Sequence, residues 1–301
     1  AYTDIDKPSD YFNTKLYTGN GSSGHAITGV GFQPDLVWIK PRDQAYNHRL
    51  FDVVRGAGKK ISSDTNSAEA TDTNEQTSFN SDGFTIGSDA GTNANTKTYA
   101  SWNWKKTATA GFDIVAYTGT GSSNAVSHSL SATPNMMIIK NRDDSDSWYV
   151  WHQGLGAVAT NYIVLDTTGA ASSVSDGITA ISSSNFTVNT RGDVNENNMK
   201  YIAYCFAEKQ GYSKFGSYTG NGNADGTFVY TGFKPAFILR KRTDTTGAWL
   251  IQDNKRDGIN RAVANSLPTD QNVLRANDSS AEEFNNELDI LSNGFKLRAT
   301  D

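Results

Sequence analysis

Gly19-Asn20-Gly21-Ser22-Ser23-Gly24 spells the G-x-G-x-x-G pattern of a phosphate-cradling loop. That chemistry needs a strand before the glycines and a helix after them, so that backbone N–H groups and the helix terminus meet the anion. The residues that follow, Ala26-Ile27-Thr28-Gly29-Val30, alternate like a strand, and an echo of the loop a hundred residues later has Asn124 in place of the last glycine. A turn is expected. Asp193-Val194-Asn195-Glu196-Asn197-Asn198 opens like a calcium loop, yet its sixth position is Asn198 and its twelfth Tyr204, where glycine and glutamate are required.

The four histidines, His25, His48, His128 and His152, have no metal-ligand spacing and no nucleophile beside them in a known motif. Asp52, Asp143, Asp144 and Asp146 could supply two carboxylates for glycoside hydrolysis, but no pattern sets any two at a working separation. Of the six tryptophans, Trp38, Trp102 and Trp104 read as core residues. Trp148 and Trp151 differ in strand parity, so one of them is expected to point outward as a contact surface. No catalytic residue, cofactor or metal ligand is assigned, and the loops that would touch a ligand stay open.

The elements that would position these groups repeat. Tyr17-Thr18-Gly19-x-Gly21 leads through Pro34 to Leu36-Val37-Trp38-Ile39-Lys40. Tyr117-Thr118-Gly119-x-Gly121 leads through Pro134 to Met136-Met137-Ile138-Ile139-Lys140. Tyr218-Thr219-Gly220-x-Gly222 leads through Pro235 to Phe237-Ile238-Leu239-Arg240-Lys241. The tyrosines stand 100 and 101 residues apart. A period this long predicts domains able to bury their own cores, not solenoid turns. The expected organisation is a lead-in segment, residues 1–10, then units at residues 11–110, 111–211 and 212–301.

The expected fold is all-β: tandem antiparallel β-sandwiches, lectin-like or jelly-roll-like, with about seven short strands per unit. Leu36–Ile39 is continuously apolar, as a strand covered on both faces should be. Ala100/Trp102/Trp104 and Ile202/Tyr204/Phe206 are expected to face the same core. Residues 62–76 read as a long surface loop. Phe79–Phe84 reads as a hairpin in which Asp82-Gly83 supplies two positive-φ positions. By the phase of the first two units, the third lacks its last strand.

Composition narrows the function classes. Apolar residues make up 37% of the chain, and 27 Lys and Arg against 32 Asp and Glu leave a net charge of −5, so no basic field for nucleic acid is expected. Cys205 is the single cysteine, which excludes an intrachain disulfide. No basic segment followed by an apolar run opens the chain, and no apolar stretch is long enough to span a bilayer. Neither a signal peptide nor membrane insertion is expected, and synthesis in a reducing cytoplasm is.

The run SDYFNTKLYTGNGSSGHAITGVGFQPDLVWIKPRD, followed by HRLFDVVRGAGKKI, FNSDGFTIGSD and YASWNWK, resembles a β-domain found repeatedly in structural proteins of tailed phages, marine ones especially. The resemblance is strongest over residues 9–106 and looser in the later units. It implies a non-enzymatic virion protein, such as a tail fibre or tail-associated adhesin that presents loops to a host-surface glycan. A capsid-surface decoration protein is the alternative, and a glycan-degrading enzyme a more remote one. It further implies other virion proteins as partners, a virion location, and a homo-oligomer, a trimer being the expectation for fibres.

Overall fold

The computed structural model describes residue 3 and residues 5–256, 272–284 and 288–300, and the architecture is all-β with antiparallel sheets packed as sandwiches. In the first unit the last strand in sequence lies in the middle of the large sheet. This closing strand, Thr98–Trp104, pairs on one side with the opening strand Phe12–Thr18 and on the other with the central strand Leu36–Pro41. Arg49–Asp52 flanks the central strand. A smaller sheet of His25–Thr28, Gly83–Ile86 and Gln76–Asn80 covers one face.

All six residues of Leu36–Pro41 are buried because both faces are covered. Val37 and Ile39 pack with Ile27, Phe84 and Ile86 in the unit's private core, while Leu36 and Trp38 turn the other way.

The second unit has the same order: Phe112–Thr118, Lys200–Phe206, Met136–Asn141 and Tyr149–His152, extended by Asn161–Val164 and Ser172–Ser173. Its small sheet is Asn124–Ser127, Asn185–Val188 and Ile178–Ile181. The third unit has a central strand Phe237–Lys241 beside Trp249–Asp253, Asn272–Arg275 and Glu283–Phe284, with a small sheet of Phe228–Tyr230, Gly294–Leu297 and Leu288–Leu291. Among the described residues it has neither a closing nor an opening strand. The two absences are linked: the opening strand bonds only to the closing strand, so residues near Tyr218 have no ladder to join.

The large sheets face one another across a single core. Leu36, Trp38 and Trp102 from the first unit meet Met136, Ile138 and Tyr204 from the second and Trp249 and Ile251 from the third. Ala100, Ile202, Trp104 and Phe206 belong to it as expected, the last two half-buried.

Three equivalent contacts close the ring. His48 Nε2 meets the Arg275 carbonyl at 2.9 Å, Trp148 Nε1 donates to the Ser62 carbonyl at 2.9 Å, and Trp249 Nε1 donates to the Val164 carbonyl at 2.8 Å. Each joins one unit to its neighbour.

Two expectations about loops are corrected. Residues 62–76 are not a surface loop throughout: Ser63, Glu75 and Gln76 are fully buried, and Ser63 Oγ donates to the Ala276 carbonyl of the third unit. Asn66, Ser67, Ala70, Thr71, Thr73 and Asn74 of the segment are exposed as expected, while Ser63 and Glu69 bond to the third and second units. In the hairpin, Asn80 pairs with Gly83, so Ser81-Asp82 is the turn and only Gly83 has positive φ. The Asp82 carboxylate instead accepts from Gly29 N at 2.9 Å and Gly31 N at 2.6 Å.

Charged pairs are sealed between units. Asp52 and Arg55 meet at 2.5 Å with neither side chain exposed, and Tyr204 of the second unit donates to the same carboxylate at 2.8 Å. Asp253 and Arg256 of the third unit repeat this at 2.6 Å, with Trp102 Nε1 of the first donating at 3.0 Å. Removing one member of such a pair strands the other charge out of water. Asp253→Ala is therefore expected to lower the unfolding free energy by about 3–5 kcal/mol, read as a lower urea midpoint at unchanged m-value; a loss under about 1 kcal/mol would be a surface-pair value and would contradict the sealed geometry.

Candidate functional site

The glycine loop is turned inward on an asparagine. Asn93, fully buried at the end of the single helical turn Ala90–Asn93, accepts from Asn20 N at 2.9 Å. Its amide nitrogen donates to the Ser22 and Gly87 carbonyls at 2.9 and 2.6 Å. Gly19 N, Gly21 N and Gly24 N donate to the carbonyls of Lys97, Asn93 and Ile86. The N–H groups that a phosphate would need are engaged.

The second unit repeats the clamp: Asn195 accepts from Thr120 N at 2.9 Å and donates to the Ser122 and Asn189 carbonyls. Gly19 and Gly119 lie against the backbone of Ala94 and Glu196 so closely that a Cβ would collide. The asparagines stand six residues before Tyr99 and Tyr201 in both units, a spacing that could have identified them in the sequence.

Asp193 reaches Arg191 at 2.8 Å, while Asn195 points into the clamp and Asn198 takes a positive φ, so the calcium-like run is a helical turn followed by a bend. Burial pushes the Asp193 carboxyl up to about 6 against the pull of Arg191. The histidines are structural contacts. His25 Nδ1 lies 2.9 Å from Asn93 Oδ1, and His128 is held between the Ser182 carbonyl and Leu130 N. His48 is buried between Trp38 Nε1 and the Arg275 carbonyl, and burial holds its pKa well below the usual imidazole value. His152 Nδ1 accepts from Gly154 N at 2.9 Å.

Asp52 is sealed in its ion pair, whereas Asp143 and Asp146 cap Lys200 N and Asn141 Nδ2 in one loop, and Asp144 caps Ser145 N. Asp72, Glu75 and Asp89 bring carboxylate oxygens together, but Lys60 Nζ sits on the first two at 3.1 and 2.8 Å and Arg49 on Glu75 at 2.8 Å. Side-chain cations occupy that cluster.

The tryptophan expectation is corrected. Neither Trp148 nor Trp151 points outward: Trp148 packs in the shared core and Trp151 in the second unit's private core, because both faces of that sheet are covered. The half-buried one is Trp104, whose ring lies 4.9 Å from Phe12 and 5.4 Å from Phe237. It lines a groove of about 1560 Å³ along the third unit, walled also by Phe206, Leu239 and Leu297. No local residue pattern points to this groove, because its walls come from all three units.

A second cluster concerns the lysines that end the apolar strands. Lys40 and Lys140 are fully buried. Lys40 Nζ donates to the Pro41 and Ser279 carbonyls at 3.0 and 3.1 Å, and Lys140 Nζ to the Asn141 and Asp144 carbonyls at 2.6 and 3.1 Å. Burial lowers both pKa values to about 8, against the opposing pull of nearby aspartates.

Residues 7–301 match the family described as "Domain of unknown function (DUF7483)", and the chain belongs to that family. No curated protein and no solved structure matches the chain. No helix among the described residues is long and apolar enough to cross a membrane.

Two outcomes follow from this geometry. Asn93→Ala leaves several buried backbone groups without partners and is expected to cost about 1–3 kcal/mol, seen in urea unfolding; a neutral change would mean the clamp contributes nothing. Between about pH 8 and 9 the unfolded chain keeps protons on both lysines that the folded chain sheds, so the lysine contribution makes stability rise with pH. Above that window Cys205, pushed up by burial, works the other way. The double variant Lys40→Met/Lys140→Met is expected to flatten the rise; an equal slope in the variant would reject it.

Proposed function

We propose that this member of the family is a non-enzymatic structural protein of a tailed-phage virion, a tail fibre or tail-associated adhesin whose loops meet a host-surface glycan. One observation carries the non-enzymatic part. The side chains with catalytic potential are engaged in holding the units together or closing their own loops: Asp52 and Asp253 bond across to Tyr204 and Trp102, and Asp143 and Asp146 cap a loop. That arrangement suits a scaffold. The resemblance of residues 9–106 to phage structural domains supplies the virion part. Other virion proteins are the partners in this reading, and a homo-oligomer is its assembled form.

Immunogold labelling of virions with antibody against the purified chain tests it. Label on tails is the expected result; label confined to heads would overturn the fibre assignment in favour of a decoration protein. Incubation with host surface polysaccharide is expected to release no product, and release abolished by changing one carboxylate would replace the proposal with an enzyme.

A further inference from the structure

Three units in one chain leave one seam unlike the other two. The first unit runs directly into the second after Trp104, and the second into the third after Phe206. The first and third meet side by side with no direct chain connection. Each seam carries a cross-unit backbone bond at the same place. Glu69 N donates to the Arg142 carbonyl at 2.8 Å between first and second, and Ala171 N to the Thr243 carbonyl at 2.8 Å between second and third. Glu282 N donates to the Arg42 carbonyl at 2.7 Å between third and first.

The seam without a chain connection is also the one with a titratable donor. His48, Trp148 and Trp249 occupy one position in the three units, their backbone amides donating to Asp64, Asp166 and Asn277 at 3.1, 2.8 and 2.7 Å. Each ring reaches a carbonyl of the neighbouring unit. An indole keeps its single N–H through the whole pH range, whereas an imidazole gains a second one in mild acid.

His48 has no place for that second proton. Trp38 Nε1 donates to its Nδ1 at 2.8 Å, so the proton of the neutral ring sits on Nε2 and goes to the Arg275 carbonyl at 2.9 Å. Protonation would set a ring N–H against the indole N–H. Both side chains are buried, so neither group can turn to solvent unless the seam parts. Parting it would also release the Ser63 and Lys40 contacts to the Ala276 and Ser279 carbonyls.

The charges around the ring act in the same sense, with one exception. Burial, and then Lys40 on the central strand and Arg49 on the flanking one, hold the His48 pKa well below the usual imidazole value, against the raising effect of backbone contacts at Arg275 and Asp278. Arg49 is itself paired with Glu75. On the third unit, Arg275 is paired with Glu283, Glu282 with Arg42 and Arg256, and Asp278 caps Ser280. The exception is Asp64, whose carboxyl burial pushes up to about 6, so that it takes up a proton while the seam is closed. A parted seam hydrates His48, which then binds a proton near the ordinary value of about 6.5, and parting is favoured as pH falls below it.

We propose that the seam between the first and third units is an acid-sensitive latch: protonation of His48 shifts the ring toward a form parted at this seam alone. The chain links after Trp104 and Phe206 keep the units together as it parts.

Hydrogen exchange of the whole chain tests this at the three cross-seam amides, Glu282, Glu69 and Ala171, after correction for the intrinsic pH dependence of exchange. Asp64→Asn serves as the background, because Asn277 already fills that place in the third unit and the change removes the opposing carboxyl. Between about pH 7 and 5 the protection of Glu282 is expected to fall at least about tenfold, with Glu69 and Ala171 changing less than about twofold. Adding Trp38→Ile/His48→Trp copies the Ile138–Trp148 pair of the second unit and is expected to abolish the fall at Glu282. The unsubstituted chain gives a reading that depends on no variant folding: between about pH 7 and 6, Glu282 is expected to lose about twofold more protection than the other two amides. Unchanged protection of Glu282 in the histidine-bearing chains would overturn the proposal. So would an equal fall after Trp38→Ile/His48→Trp, or a fall shared by all three amides.

Discussion

The inner face of each large sheet is apolar and has nothing to cover it except the other two. Leu36 and Trp38, Met136 and Ile138, and Trp249 and Ile251 all turn toward one core, while Val37 and Ile39, Met137 and Ile139, and Ile238 turn toward private ones. This double covering explains why the central strands lack the polar alternation of a sheet with one wet face. It also explains why lysines end them. A chain leaving a layer buried on both sides has carbonyls to satisfy, and Lys40 and Lys140 reach them at the cost of their own hydration.

Polar groups then set how the three faces meet. The Asp52–Arg55–Tyr204 and Asp253–Arg256–Trp102 contacts follow one geometry with different side chains, and the second holds the Asp253 carboxyl below its usual pKa although burial alone would raise it. Arg142–Glu69 and Arg42–Glu282 add bridges at the same two seams. Replacing a buried pair by well-packed apolar residues is often neutral for stability. We assign these pairs to register: a carboxylate that must find both a guanidinium and a neighbour's Tyr or Trp admits one arrangement of adjacent units. The seam between second and third units departs from the pattern, with His152 and Leu155 where the others have aspartate and arginine.

Much of this was legible in residue patterns. The apolar run Leu36–Ile39 gave a strand covered twice, and the alternation of Ala100, Trp102 and Trp104 matched Ile202, Tyr204 and Phe206 onto one core. The strand after Gly24 separated the glycine loop from a phosphate site. A period of two reports that side chains alternate, however, and not what lies opposite each face. One of Trp148 and Trp151 was therefore expected to face outward, while both pack in cores, and residues 62–76 read as solvated throughout, while Ser63 and Glu69 bond to other units. Asp52 finds Tyr204 152 residues away, a distance at which no local pattern operates. Asn93 escaped for a related reason: its donors and acceptors come from Asn20, Ser22 and Gly87, which meet only once the sheets have formed.

Three sequence-similar stretches that share one core should unfold as one body. Differential scanning calorimetry of the whole chain measures whether they do. A single transition is predicted, with the calorimetric enthalpy equal to the van't Hoff enthalpy. Resolved transitions matching independently unfolding units would contradict it.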